Sequence, residues 1–127
     1  QRQPASDSKK NELYQGFNAA LKQSFKNNHQ VAHYAEMLNV TTEMLTITIK
    51  QYTDKTPKQI IDDRLVMEAK RLLYWSTKTV REIAWELGFE TDAYFNRFFK
   101  KHTSRTPKEF QRRARKDAAI ALPAQVA

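Results

Sequence analysis

The sequence predicts an all-α fold of seven helices, in which two helix-turn-helix subdomains are joined by a long linker helix. Three observations carry this. Apolar residues recur at helical spacing, only two glycines and four prolines interrupt 127 residues, and one bihelical pattern occurs twice. Strict alternation is confined to Leu45-Thr46-Ile47-Thr48-Ile49. A strand is a fair local reading of that run, but the flanking caps and the repeat outweigh it.

The elements follow in order. Leu13, Phe17, Leu21 and Phe25 form one stripe of a first helix over about residues 9–27. Val31, Tyr34, Ala35 and Leu38 give a short second helix an apolar face, and Asn39-Val40 reads as a turn. Thr41 is the expected N-cap of a third helix reaching about Tyr52. Thr56-Pro57-Lys58-Gln59 then supplies a capping Thr, a proline at the first helical position and Gln at the third. Ile61, Leu65, Ala69, Leu72 and Leu73 extend that fourth helix to about Trp75. Thr79-Val80-Arg81-Glu82 is a capping box for a fifth, which Gly88 stops. A sixth starts after Thr91 and ends near His102, and Thr106-Pro107-Lys108-Glu109 opens a seventh. Residues 118–127 hold little to pack and are expected to fray.

The repeat is the strongest internal signal. Val31, Tyr34-Ala35 and Leu38-Asn39-Val40 parallel Val80, Ile83-Ala84 and Leu87-Gly88-Phe89 at an offset of 49. Ile49-Lys50, Thr53 and Thr56-Pro57-Lys58 parallel Phe99-Lys100, Thr103 and Thr106-Pro107-Lys108 at 50, so the second copy holds one extra residue within positions 89–92. A small residue (Ala35, Ala84), a tight turn and an apolar plug (Val40, Phe89) are what two closely crossing helices need. The chain accordingly divides into a linker end at 1–8, a first subdomain at 9–56, a linker helix at 57–76, a second subdomain at 77–116 and a flexible tail at 117–127.

Charge separates the copies. The chain carries a net charge of +8, and residues 96–116 alone hold nine basic residues against Glu109, so the remainder sums to zero. The first copy, residues 31–56, nets −1. Clustered cations interleaved with Phe98, Phe99 and Phe110 point to a polyanion, nucleic acid before membrane. A solvated charged face is the plainer alternative. No cysteine is present, hence no disulfide framework or thiolate metal site, which fits a reducing compartment. No apolar run approaches the ~20 residues of a membrane span, and no signal-peptide core is visible. His29 and His33 stand at i, i+4 but lack a third ligand and the intervening Glu of a zinc protease motif. With Gly16 and Gly88 alone there is no phosphate loop. Neither catalytic residues, a metal nor a cofactor is expected.

Over about residues 17–113 the sequence resembles the DNA-binding domain of the AraC/XylS family of bacterial transcription regulators. The most specific stretch is Val80-Arg-Glu-Ile-Ala-Trp-Glu-Leu-Gly-Phe-Glu-Thr-Asp-Ala-Tyr-Phe-Asn-Arg-Phe-Phe-Lys-Lys, closing at Thr106-Pro107. Arg64-Leu65, Glu68-Ala69 and Leu72-Leu73 are similar to the family's linker helix. Two departures stand out. Before each Thr-Pro the family usually has Gly, whereas this chain has Asp54 and Ser104, and Ser adopts a left-handed conformation less readily. The exit of the second copy is therefore expected to differ in shape. The first reading face, with Glu43, Thr46 and Ile47, also has little capacity for guanine. The resemblance implies sequence-specific binding of double-stranded DNA in the bacterial cytoplasm, at the nucleoid. It also implies RNA polymerase as a further partner, and an effector-binding or dimerisation domain N-terminal to this one. The absence of an initiating Met fits a piece of a longer protein.

Two recognition helices (about 42–52 and 92–102) are expected to enter successive major grooves. With Leu45 and Ile49 facing in, the first leaves Thr42, Glu43, Thr46, Ile47 and Lys50 outward; with Phe95, Phe98 and Phe99 facing in, the second leaves Asp92, Ala93, Asn96, Arg97 and Lys100. Asn96 suits adenine, Arg97 guanine, Glu43 cytosine, and Ile47 and Ala93 thymine methyls. Thr42, Thr46 and Asp92 complete the base-facing set. Lys50, Lys100, Lys101, Arg105, Arg112 and Arg113 are assigned to phosphates, with the helix starts at Thr79 and Thr91. Three alternatives stay open: Arg97 in an ion pair with Glu86, Glu90 or Asp92; Asp92 as a simple first-turn acid; and Ile47 buried by a rotated helix. A linker of about 18 residues spans roughly 27 Å against ~34 Å between grooves, so modest DNA bending or unequal engagement is expected. A helical protein-interaction module with a basic face is the rival function. RNA is disfavoured, because the aromatics stand at core spacing.

Overall fold

Caps and turns decide where each helix begins and stops. The computed structural model describes the backbone of residues 4–126 and the side chains of residues 8–120. Among them are seven helices and no strand: α1 (Pro4–Ser24), α2 (Val31–Met37), α3 (Thr42–Thr53), α4 (Pro57–Trp75), α5 (Val80–Glu86), α6 (Asp92–Thr103) and α7 (Pro107–Val126). The alternating run 45–49 is helical. Thr41 accepts the Met44 N–H at 3.0 Å and starts a helix there, which buries Leu45, Thr48 and Ile49 on one side.

Both ends of the chain are more helical than expected. The helix α1 starts at Pro4, so residues 4–8 are not an extended linker, and residues 1–3 lie outside those described. Proline is tolerated in a first turn because its missing N–H would have no helical partner there. The expected flexible tail from residue 117 instead continues α7 to Val126. Alanine-rich sequence without glycine gives that helix no reason to stop near Lys116.

The chain divides inside α4 into two compact units, residues 1–64 and 65–127. The linker helix is thus shared between them rather than forming a separate segment, with Ile61 buried before the division and Leu65, Ala69, Leu72 and Leu73 after it.

In the first unit α1 packs on α2 and α3 through Phe17, Leu21 and Phe25, each nearly inaccessible. A Cβ on Gly16 would stand 3.0 Å from Leu38 Cδ2, so this glycine permits the close approach of α2. Tyr34 meets Phe17 edge-on at 5.7 Å and donates its hydroxyl to the Asn28 carbonyl at 2.8 Å. Burial pushes that phenol up to about 12. The Arg64 guanidinium lies over the Phe25 ring at 5.1 Å.

The second unit has an aromatic core. Phe95 and Phe99 are fully buried, Phe89 lies 5.1 Å from both Phe95 and Phe98, and Phe99 meets Phe110 edge-on at 5.6 Å. The Gln111 side-chain amide donates to the Lys78 carbonyl at 3.0 Å, which ties α7 to the entry of α5.

The two bihelical turns are built alike. In each, the residue immediately before the plug adopts positive φ: Asn39 at 58° and Gly88 at 83°. The Val40 and Phe89 N–H groups bond to the Ala35 and Ala84 carbonyls, both at 3.0 Å, while Asn39 and Gly88 donate to Glu36 and Trp85. This is a Schellman closure in duplicate, with alanine at the tight position each time. Glu90 is the extra residue of the second copy, placed between the plug Phe89 and the capping Thr91.

The exits also coincide, against expectation. Asp54 (φ 62, ψ 13) and Ser104 (φ 68, ψ 9) have the same left-handed conformation. The Thr53 and Thr103 hydroxyls donate to the Ile49 and Phe99 carbonyls at 2.8 Å and accept the Lys55 and Arg105 N–H groups. That neighbouring threonine brackets the strained residue and holds it in place, which a serine alone does not do.

Candidate nucleic-acid interface

The helix α3 offers a mostly uncharged outer face. Thr42, Glu43, Ile47 and Lys50 are exposed and Thr46 is half-buried. Ile47 is 54% exposed, which sets aside its burial by a rotated helix, and Met44 beside it is also open. With Leu45, Thr48 and Ile49 inward, the geometry leaves these side chains nowhere else to point.

The helix α6 offers the equivalent face with different chemistry. Ala93, Arg97, Lys100 and Lys101 are exposed, and Asp92 and Asn96 are half-buried. Among the described residues Arg97 forms no ion pair. Two of the three acids considered for it are engaged elsewhere, Asp92 accepting Arg81 Nε at 3.2 Å and Glu86 accepting Lys78, and Glu90 forms no ion pair with it. Asp92 therefore stands as a first-turn acid bonded across to α5 while still at the edge of the reading face.

Thr79 and Thr91 are caps. Their hydroxyls accept the Glu82 and Tyr94 N–H groups at 3.1 Å, and Glu82 closes a full capping box on Thr79. The capping uses only the oxygen of each hydroxyl, so donors to a phosphate at these helix starts are the hydroxyl hydrogens and the first helical N–H groups.

The cations differ sharply between copies where the sequence aligns them. In the first unit Lys55 bonds Asp63 at 2.8 Å and Lys58 bonds Asp62 at 2.9 Å. The residues at the corresponding places in the second unit are Arg105 with Arg113 and Lys108 with Arg112. Two arginines stand where the first unit has two acids, so Arg105 and Lys108 lack the partner their counterparts hold, and Arg112 and Arg113 add two further cations. Arg105, Arg112, Arg113 and Lys116 line one open groove along α7. Two acids, Glu109 and Asp117, stand among them, and Glu109 is held below the ordinary carboxylate range by the Thr106 backbone and side-chain hydrogen bonds, helped by Lys100 and Arg112.

Three further cations were not assigned from sequence. Arg81, Lys108 and Arg115 line a groove with Asn96 and Thr79, immediately beside the second reading face. A signal for two of them was available: Arg81 and Lys108 sit in first helical turns, where a cation opposes the macrodipole and wants an anion. Trp85, 84% exposed, also borders the head of α6 next to Glu90, Thr91 and Ala93. The predicted sets therefore come together within each unit, as one mostly uncharged face on α3 and one polar, cation-flanked face on α6. His29 and His33 gather no further ligands: among the described residues no group of three possible metal ligands occurs. No described helix is long and apolar enough to cross a membrane.

The helix-turn-helix domain family matches residues 34–113, well over half of the chain and spanning both bihelical units. The chain belongs to the AraC-type helix-turn-helix family. It is 33% identical over 92 residues to an uncharacterised helix-turn-helix transcriptional regulator in the cgkA 5′ region of Pseudoalteromonas carrageenovora, covering 72% of this chain and 54% of that protein. The fold is similar to the C-terminal domain of AraT, a response regulator from Geobacillus stearothermophilus (TM-score 0.74, 25% identity, 79% of this chain and 84% of that one). It is also similar to the DNA-binding domain of AdpA, a global transcriptional factor solved with a target DNA (TM-score 0.73, 21% identity, 83% and 94%). The chain spans about half or less of the length of the curated relatives it matches. Membership in this family makes the domain a DNA-binding part of transcription regulation rather than an enzyme.

Proposed function

We propose that α3 and α6 are the recognition helices of this domain and that both address major grooves of one double-stranded DNA site. Thr42, Glu43, Thr46 and Ile47 face bases from the first unit, and Asp92, Ala93, Asn96 and Arg97 from the second. Asn96 pairs with adenine and Arg97 with guanine, each able to make two hydrogen bonds to one purine edge. Asp92, bonded to Arg81, borders the set. Lys50, Lys100, Lys101, Arg105, Arg112 and Arg113 hold phosphates, joined by Arg81, Lys108 and Arg115 and the helix starts at Thr79 and Thr91.

The observation that carries this reading is the exchange of acids for arginines at the second exit. Lys55 and Lys58 are neutralised within the protein, whereas Arg105, Lys108, Arg112 and Arg113 are left for an external polyanion. The second unit is then the electrostatic anchor and the first contributes by fit. The whole protein is further inferred to carry an effector-binding or dimerisation domain N-terminal to this one. It acts at the nucleoid in the bacterial cytoplasm and meets RNA polymerase there. The greater length of the curated relatives supports that inference.

Selection of bound duplexes from a random library tests the proposal. A preferred site about two helical turns long is expected. A site under one turn would limit recognition to one unit. Equal affinity for selected and random duplex would leave the basic face to an acidic protein instead.

A further inference from the structure

The aligned reading faces differ at one decisive pair. Thr46-Ile47 in α3 stands where Asn96-Arg97 stands in α6. Ile47 is 54% exposed and Met44, three residues earlier on the same helix, is 47% exposed. The Cβ-branched Ile47 has one dominant χ1 rotamer in a helix, so its two Cγ atoms have fixed positions. Around it stand Thr42 and Thr46 with short side chains, Glu43 one turn before, and Lys50 and Gln51 one turn on. From Thr42 to Ile47 this face has no Asn, Gln or Arg with which to take a purine edge in two hydrogen bonds, and the exposed Gln51 stands one turn beyond Ile47. An apolar tip displayed on a recognition helix is matched in the major groove by one base feature, the 5-methyl group of thymine.

We infer that the first unit reads thymine by its methyl group, with Ile47 as the specificity-determining residue and Met44 widening the apolar strip. The inference rests on α3 being a recognition helix and deepens that proposal. The half-site under the first unit is thus thymine-containing and read by apolar contact, whereas that under the second is read by hydrogen bonds. Burial of one methyl against Ile47 strengthens binding about three- to fivefold.

Replacement of thymine by deoxyuracil tests this, because it removes the methyl and leaves base pairing intact. A selected duplex is made with deoxyuracil at one thymine position at a time, and affinity is measured for the unmodified domain and for Ile47→Ala. At one or two positions of the half-site away from the Arg97 contact, a loss of about three- to fivefold is expected, and Ile47→Ala should bind both duplexes equally there. Uniform tolerance of deoxyuracil by the unmodified domain would overturn the inference and leave the proposed function standing. A loss that persists unchanged in Ile47→Ala would overturn the role of Ile47. Absence of any preference for the selected duplex would overturn both. Ile47 is exposed, so the substitution leaves the packing intact, and an unchanged thermal midpoint verifies this.

Discussion

The two units share a backbone plan and differ in what they do with it. Both turns close through an alanine carbonyl, both exits pass through a left-handed residue bracketed by threonine, and both following helices begin with a reciprocal Thr cap. Onto that plan the first unit places a half-buried Val40, internally paired lysines and a mostly uncharged reading face. The second places Phe89 in a cluster of rings, Arg112 and Arg113 in place of the two acids, and a polar reading face. The difference teaches that the bonds defining the motif are mostly backbone and hydroxyl bonds, indifferent to the outward side chains. Those are free to divide the labour, one unit for anchoring and one for fit.

The largest effect that sharpens this comparison is in the cores. Phe89→Ala is expected to destabilise the second unit by about 3–5 kcal/mol, since it empties a site touching several rings. Val40→Ala, at a half-exposed plug, should cost distinctly less. Denaturant unfolding of the two variants measures the gap, and equal losses would contradict the packing asymmetry.

Next come base contacts. Arg97→Ala is expected to cost about 1–3 kcal/mol of discrimination at one guanine, with little change on random duplex. Titration against duplexes varied at each position reads this out, and a loss that is uniform over sequence would move Arg97 to the phosphate set.

Anchoring is tested by salt. Arg112→Ala with Arg113→Ala should reduce the slope of log affinity against log salt by about 2, whereas Lys50→Ala should reduce it by no more than about 1. In the other direction, Asp63→Asn releases Lys55 from its bond and should raise the slope by at most about 1. If removal of the arginines leaves the slope unchanged, the second unit is not the anchor.

The smallest effect is an acid response at one cap. The α7 cap closes with Glu109, the corresponding α4 cap with Gln59, which has no proton to take up. Because the folded pKa of Glu109 is lowered, its contribution is complete above the unfolded value of about 4.3 and is withdrawn as the pH falls through the depressed folded value. The protection of the Thr106 amide, taken relative to the intrinsic exchange rate at each pH, should therefore fall on acidification while that of Thr56 does not, and Glu109→Gln should remove the difference.

Much of this was legible in the residues. Helix starts at Thr41, Thr56, Thr79, Thr91 and Thr106 follow from local capping chemistry, which depends on positions within three residues and survives any packing. The duplicated Ala-turn-plug pattern was equally legible, because a tight crossing tolerates few residue types. The outward rows on both recognition helices followed from helical spacing once the inward residues were known. Less was visible where partners are distant in sequence. Nothing local shows that Arg81 meets Asp92 across the turn, that Arg97 is left without an acid, or that Arg81, Lys108 and Arg115 share a groove with Asn96. The run 45–49 misleads for a related reason: β-branched alternation is a local preference, and burial of Leu45, Thr48 and Ile49 on one helical side overrides it.

By itself, then, the sequence determined the seven helices, the duplication and the side chains each recognition helix turns outward, since these arise from caps, spacing and charge counted along the chain. The tertiary structure alone decided which charges cancel, that Ile47 stays open, and that Ser104 takes the same left-handed turn as Asp54. Those outcomes depend on distances between residues brought together by packing, and on hydrogen bonds that make a strained backbone conformation the cheaper one.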